Sequence, residues 1–128
     1  MSYQSDIFDA IRGNAALSDL IGERFFWDIA DETTETPYLV AQTISADSDA
    51  THDGDRTITF PLVQFSCWSP SKADAIAVMS VFRNELEGLE VPGDSAASFT
   101  YSGEVSSYDR ETGFYGEIVD YRISCITN

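Results

Sequence analysis

The residues best suited to chemistry crowd into one stretch, 45–56, which reads SADSDATHDGDR. It contains four aspartates and His52, the one histidine of the chain. Hard divalent cations take oxygen ligands at alternate loop positions, so the segment invites a calcium reading. With Asp49 first, Thr51 falls third, Asp53 fifth, Gly54 sixth and Asp55 seventh, as in the first half of a calcium loop. The twelfth position, where a bidentate glutamate should close the shell, is Phe60. The flanks read as strands rather than helices. A solvated loop is therefore expected, with a small calcium-responsive binding module using Asp49, Asp53 and Asp55 as the alternative from a different class.

Other chemistries find less support. Any Ser-His-Asp or Cys-His device must use His52, and no Gly-x-Ser-x-Gly elbow presents a nucleophile. Lys72, the one lysine, lacks the glycines of a phosphate-binding loop. Twenty-two acidic residues make chance carboxylate pairs common, and none sits in a pattern that implies a desolvated site. The expectation is a protein that is not an enzyme, with no catalytic, cofactor-binding or metal-ligating residues.

Composition narrows the partners. Seven basic residues against 22 acidic ones give a formal charge of -15, which opposes adhesion to nucleic acid or an anionic membrane. Adaptation to a saline habitat would produce the same excess as a functional acidic surface. The N-terminal MSYQSDIFDAIRGNAAL interrupts its apolar pattern with Asp6 and Asp9, so neither a signal peptide nor a membrane anchor is expected, and a cytoplasm-like compartment is. Cys67 and Cys125 match no zinc or redox spacing and are read as buried free thiols, with a disulfide as the lesser alternative.

These residues need elements to position them. One domain over 1–128 is expected, since a chain of 128 residues with six Tyr, eight Phe and two Trp can fill a core. Ser5 is expected to cap a short helix with Ile7, Phe8 and Ile11 on its apolar face and Gly13 at its end. Asn14 caps a second, AALSDLIG. ERFFWDIA reads as an aromatic strand, although Phe25, Phe26 and Trp27 are consecutive and cannot all face one core. YLVAQTIS reads as a strand whose Tyr38, Val40, Gln42 and Ile44 oppose Leu39, Ala41 and Thr43. In RTITFPLVQFSCWS the apolar set changes parity at Pro61, which predicts a bulge or a strand buried on different faces, with Ile58 and Phe60 on a projecting half.

SPSKADAIAVMSVFRNELEGL carries the clearest helical pattern, with Ser71 and Asp74 as a capping pair, Pro70 in the first turn and Gly88 as the stop. Two closing strands follow, joined by DRETG with Gly113 free to take positive φ. Phe99, Tyr101 and Val105 are expected on one face of the first, and Val119, Tyr121, Ile123 and Cys125 on one face of the second. The fold class is α+β: a mostly antiparallel sheet of four to five strands, a short N-terminal helix pair, and one long helix (about 70–88) packed on a face.

Several blocks together resemble the tail-terminator and tail-completion proteins of long-tailed phages. LSDLIGERFFWDIADETTETPYLVAQTIS is similar to their N-terminal signature, LVQFSCWSPSKADAIAVMSVFRNEL to their central strand and helix, and GEIVDYRISC to their final strand. The resemblance implies a structural virion protein of the tail and head-tail junction, made in the host cytoplasm. It implies a homo-oligomeric ring, expected to be a hexamer, that caps the tail-tube protein and meets the head-tail connector or adaptor. DNA would pass through the lumen without sequence-specific binding. A connector-side adaptor or stopper is the alternative within this class. Gly22, Arg24, Pro37, Tyr38 and Trp68 match the signature as structural positions. The candidates for oligomer or partner contact are Asp47, Asp49, Asp53, Asp55, Ile58, Phe60, Tyr108, Arg110 and Tyr115, because a ring closes through different faces of neighbouring copies.

Overall fold

A computed structural model describes residues 3–22, 24–28, 35–50, 57–87 and 97–127, with the backbone alone at 3–6, 46–50, 57–59, 97–98 and 125–127. The elements are α1 (Tyr3–Arg12), α2 (Ala15–Ile21), β1 (Phe25–Trp27), β2 (Tyr38–Ala50), β3 (Thr57–Ser69), α3 (Lys72–Glu87), β4 (Ala97–Asp109) and β5 (Phe114–Thr127). The strands form one sheet in the order β1-β2-β3-β5-β4. β1 pairs parallel to β2, and every other pair is antiparallel. This is the α+β architecture expected, with five strands.

Alternation places the core. Leu39 and Ala41 of β2, Val63, Phe65 and Cys67 of β3, and Val119, Tyr121 and Ile123 of β5 are buried on one sheet face. α3 covers that face because Ala75, Val78, Met79, Phe82 and Leu86 recur at helical spacing and are all buried. Phe82 stacks 5.0 Å from Phe65. α1 adds Ile7 and Ile11, and its Phe8 ring lies 5.6 Å from Phe25. The aromatic run therefore divides by parity: Phe25 is buried, Trp27 packs against the core beside it, and Phe26 points the other way.

The helix ends follow local chemistry. Asn14 caps α2 through its side chain, which accepts from Leu17 N at 3.0 Å. Ser71 caps α3, its Oγ accepting from Asp74 N at 3.3 Å. Only half of the capping pair forms, since Ser71 N donates to Ser69 Oγ instead. Pro70 lies before this cap, not in the first turn as the sequence suggested, and α1 begins at Tyr3, which places Ser5 inside it rather than at its cap. Gly88 lies outside the described residues.

Two bulges reset the strand faces. The pairing of β2 with β3 shifts between Thr43 and Ser45, so the extra residue is Ile44 of β2, while β3 runs without interruption past Pro61. The irregularity expected in β3 thus belongs to its partner. β2 also continues to Ala50, so half of the stretch read as a loop is strand, paired from Ser45↔Leu62 to Ala50↔Thr57. The second shift lies between Tyr101 and Gly103. It turns Val105 to the opposite face from Tyr101, against the expectation that Phe99, Tyr101 and Val105 share one, and leaves Val105 58% exposed.

Candidate functional site

The residues of the family-like signature form a clamp. Gly22 ends α2 at φ 58 and ψ -126, a region open to glycine. That turn brings Arg24 under the helix end, where its Nε donates to Pro37 O at 3.0 Å and its Nη2 to Leu20 O at 3.4 Å. One guanidinium thereby joins the C-terminus of α2 to the start of β2, and the Leu39 N to Arg24 O bond of 2.9 Å closes the ladder there. Trp68 is placed by a different device. Its indole lies so close over Gly116 of β5 that a Cβ there would sit 2.6 Å from the ring.

The sheet face opposite α3 is open among the described residues. It holds a hollow of about 320 Å³ lined by Asp28, Tyr38, Val40, Gln42, Gln64, Ser66, Trp68 and Ile118. Tyr38 also meets Phe114 edge-on at 6.4 Å. Burial, then the carboxylate of Asp109 and the Cys67 sulfur, raise the Tyr38 phenol above its ordinary range. On the helix side, a groove of about 420 Å³ runs between α3 and β4. Arg83 spans it, lying 4.3 Å over the Tyr101 ring and 3.4 Å from Glu104. That ion pair is largely solvated and contributes about 0 to 1 kcal/mol. Beneath it the Tyr121 phenol is raised by burial, although Arg83 acts in the opposite direction.

The interface candidates fall into two groups at opposite ends of the sheet. Asp47 and Asp49 lie on β2 opposite Phe60 and Ile58 of β3, so those four belong to one end. Asp53 and Asp55 lie outside the described residues, as does the rest of the proposed calcium shell beyond the backbone of Asp49. Tyr108, Arg110 and Tyr115 sit at the β4-β5 hairpin, with the two tyrosine rings 4.8 Å apart. Gly113 takes φ 76 and donates to Asp109 O at 2.8 Å, closing that turn as its sequence indicated. β3 is not a bare projection at the aspartate end, because β5 flanks it as far as Thr57↔Thr127. Phe60 is half-buried, and Arg122 Nη1 donates to its carbonyl at 3.0 Å.

Cys67 is fully buried, and burial followed by Glu117 pushes its thiol up to about 12. It pairs with Glu117, whereas Cys125 pairs with Thr59. At roughly 3.3 Å per residue these positions are about 26 Å apart along the sheet, far beyond the ~7 Å limit for a disulfide. The lesser alternative of a bridge within the chain is thereby removed.

No chemistry-bearing cluster emerges from this arrangement: among the described residues, no three His, Cys, Asp or Glu side chains converge as metal ligands. What the fold builds among the described residues is surface: an outermost strand, β4, that pairs with β5 alone, an open face and an aromatic hairpin. No curated protein matches the chain. Among solved structures it is similar to a chain of the virion of a native gene transfer agent particle, at 12% identity and a TM-score of 0.75, covering 98% of this chain and 96% of that one. That likeness is one of fold. The description "Tail completion protein gp17" matches residues 5–125, and the chain belongs to that family of phage tail structural proteins.

Proposed function

We propose that the protein is a tail terminator: a ring of copies, six by expectation, that closes the last layer of the tail tube and offers its other side to the head-tail connector. The role is structural rather than catalytic. What carries this reading is the family match across 5–125, and the similar fold found in a gene transfer agent virion agrees with it. The charge of -15 suits a passage that DNA crosses without sticking, since like charges repel at the lumen wall.

Electron microscopy of assembled particles, with the protein located by a bound antibody fragment, tests the reading. A ring at the head-proximal end of the tube is the expected result. Absence of the protein from tailed particles overturns it. Photocrosslinking from Tyr108 separates the terminator from a connector-side adaptor, according to whether tube protein is captured.

A further inference from the structure

The layer of helices is narrower than the sheet beneath it. Strands stand about 4.8 Å apart and packed helices about 10 Å apart, so each helix covers roughly two strands. α1 packs at β1, where Phe8 meets Phe25, and α3 lies over β3 and β5, where Phe82 meets Phe65. β4 is outermost on the far side, and α3 reaches it through Arg83, which lies over Tyr101 and pairs with Glu104. Register identifies the face of β4 on this side. Tyr101 and Glu104 stand opposite Tyr121 and Val119, which are buried beneath α3, and Ser106 and Tyr108 continue the same face opposite Glu117 and Tyr115. Tyr101 to Tyr108 spans about 20 Å, or nearly four turns of helix. Of the five exposed large hydrophobic residues among those described, three border this strip: Ile76 at 48%, Tyr101 at 42% and Tyr108 at 52%. Grouped in this way they mark a covered surface rather than scatter.

The groove between α3 and β4, about 420 Å³, also selects the sign of its occupant. Its lining includes Ile76, Ser80, Glu87, Glu104 and Glu117, and Arg83 is the one cation in it. Arg83 is already paired with Glu104. Glu117 accepts from the Ser106 hydroxyl, at 2.9 Å to either oxygen. Glu87 and Glu117 are therefore left without a cation among the described residues. A second copy of the chain is poorly equipped to supply one. Arg12, Arg24 and Arg122 are held by the carbonyls of Phe25, Pro37 and Phe60, and each copy carries -15 overall. Among the described residues that leaves Lys72 on α3 and Arg110 at the hairpin, too few to line one element.

We infer that this groove docks an amphipathic helix of a different protein, apolar along the stripe that meets Ile76, Tyr101 and Tyr108 and basic on the flanks that meet Glu87 and Glu117. The helix lies beside α3 and completes the layer over β4. Apolar burial holds it, and the carboxylates set its sign and register. This goes beyond the ring proposed above and does not depend on the number of copies in it.

The probe is a fluorescent peptide of about 18 residues built from leucine, lysine and alanine, with one leucine stripe at helical spacing and lysines on its flanks. A shuffled peptide of the same composition is the control. Anisotropy against the full chain should show the striped peptide binding at least about tenfold more tightly than the shuffled one. Ile76→Ser removes an exposed apolar contact without touching the core, and should weaken the striped peptide by about tenfold. Glu117→Gln should weaken it by about threefold. Asp9→Asn and Asp19→Asn make the same change of charge at exposed positions on α1 and α2, and should leave it unchanged. Equal binding of the two peptides, binding of neither, or a loss with Asp19→Asn as large as with Glu117→Gln overturns the proposal, since the acidic chain would then attract cations generally. A photoreactive residue at Ser80 in tailed particles identifies the occupant. Crosslinks to a helical segment of another protein with lysine or arginine on its flanks are expected. Crosslinks to a second copy of this chain, or none, overturn the proposal. Absence of the protein from the particles removes the terminator reading, while the peptide measurements still decide the groove.

Discussion

Gly116 and Trp68 show how one atom can set a surface. The indole occupies the space a Cβ would need, 2.6 Å away, so Gly116→Ala must displace either the ring or the strand. Such overpacking costs about 1 to 3 kcal/mol. Urea unfolding should show that loss, and Trp68→Leu in the same chain should recover most of it; an equal loss in the double variant would place the cause elsewhere. Cys67 gives a second residue-scale expectation. Its folded thiol ionises near 12 against an ordinary value of 9.0, so its contribution to stability is complete below pH 9 and disappears as pH rises from 9 to 12. The loss is about 1.4 kcal/mol per unit across that window. Tyr38 and Tyr121 are raised by burial and act with the same sign. Cys67→Ala should flatten part of the alkaline slope, and a thiol reagent at pH 8 should label Cys67 only as fast as the protein opens.

At the scale of elements, α3 holds the two layers together, and Phe82 is its central contact. Phe82→Ala should cost about 3 to 5 kcal/mol by calorimetry or denaturant, whereas Ser80→Ala on the exposed side should stay within about 0.5 kcal/mol. This helix was legible in the sequence because apolar period, capping serine and length agree. The same holds for the hairpin turn at Gly113. The bulges were not legible. Nothing in TYSGEV marks Ser102 as an extra residue, since a bulge is a property of two paired strands and the sequence shows one at a time. For the same reason ADSDA reads as a loop: its propensities are poor for a strand, and only pairing with β3 extends β2 to Ala50. Of the surface, the aromatic hairpin was visible as a motif. The place of β4 at the margin of the sheet was not, because an edge exists only once strand order is fixed.

For the whole molecule, net charge acts against the self-association that a ring of copies requires. Each copy carries a formal -15. Copies therefore repel as they approach, while the exposed Ile44, Tyr101, Val105 and Tyr108 favour apolar contact. Apolar contact is nearly insensitive to salt at these concentrations. Repulsion is not: the screening length falls from about 30 Å at 0.01 M salt to about 8 Å at 0.15 M. Self-association should consequently tighten as sodium chloride rises, by roughly tenfold or about 1.4 kcal/mol over that range. Sedimentation equilibrium at several salt concentrations measures it directly. An interface built on opposite charges would weaken instead, and that outcome would require an arginine-centred contact, with Arg110 at the hairpin and Arg83 beside β4 as the groups to replace.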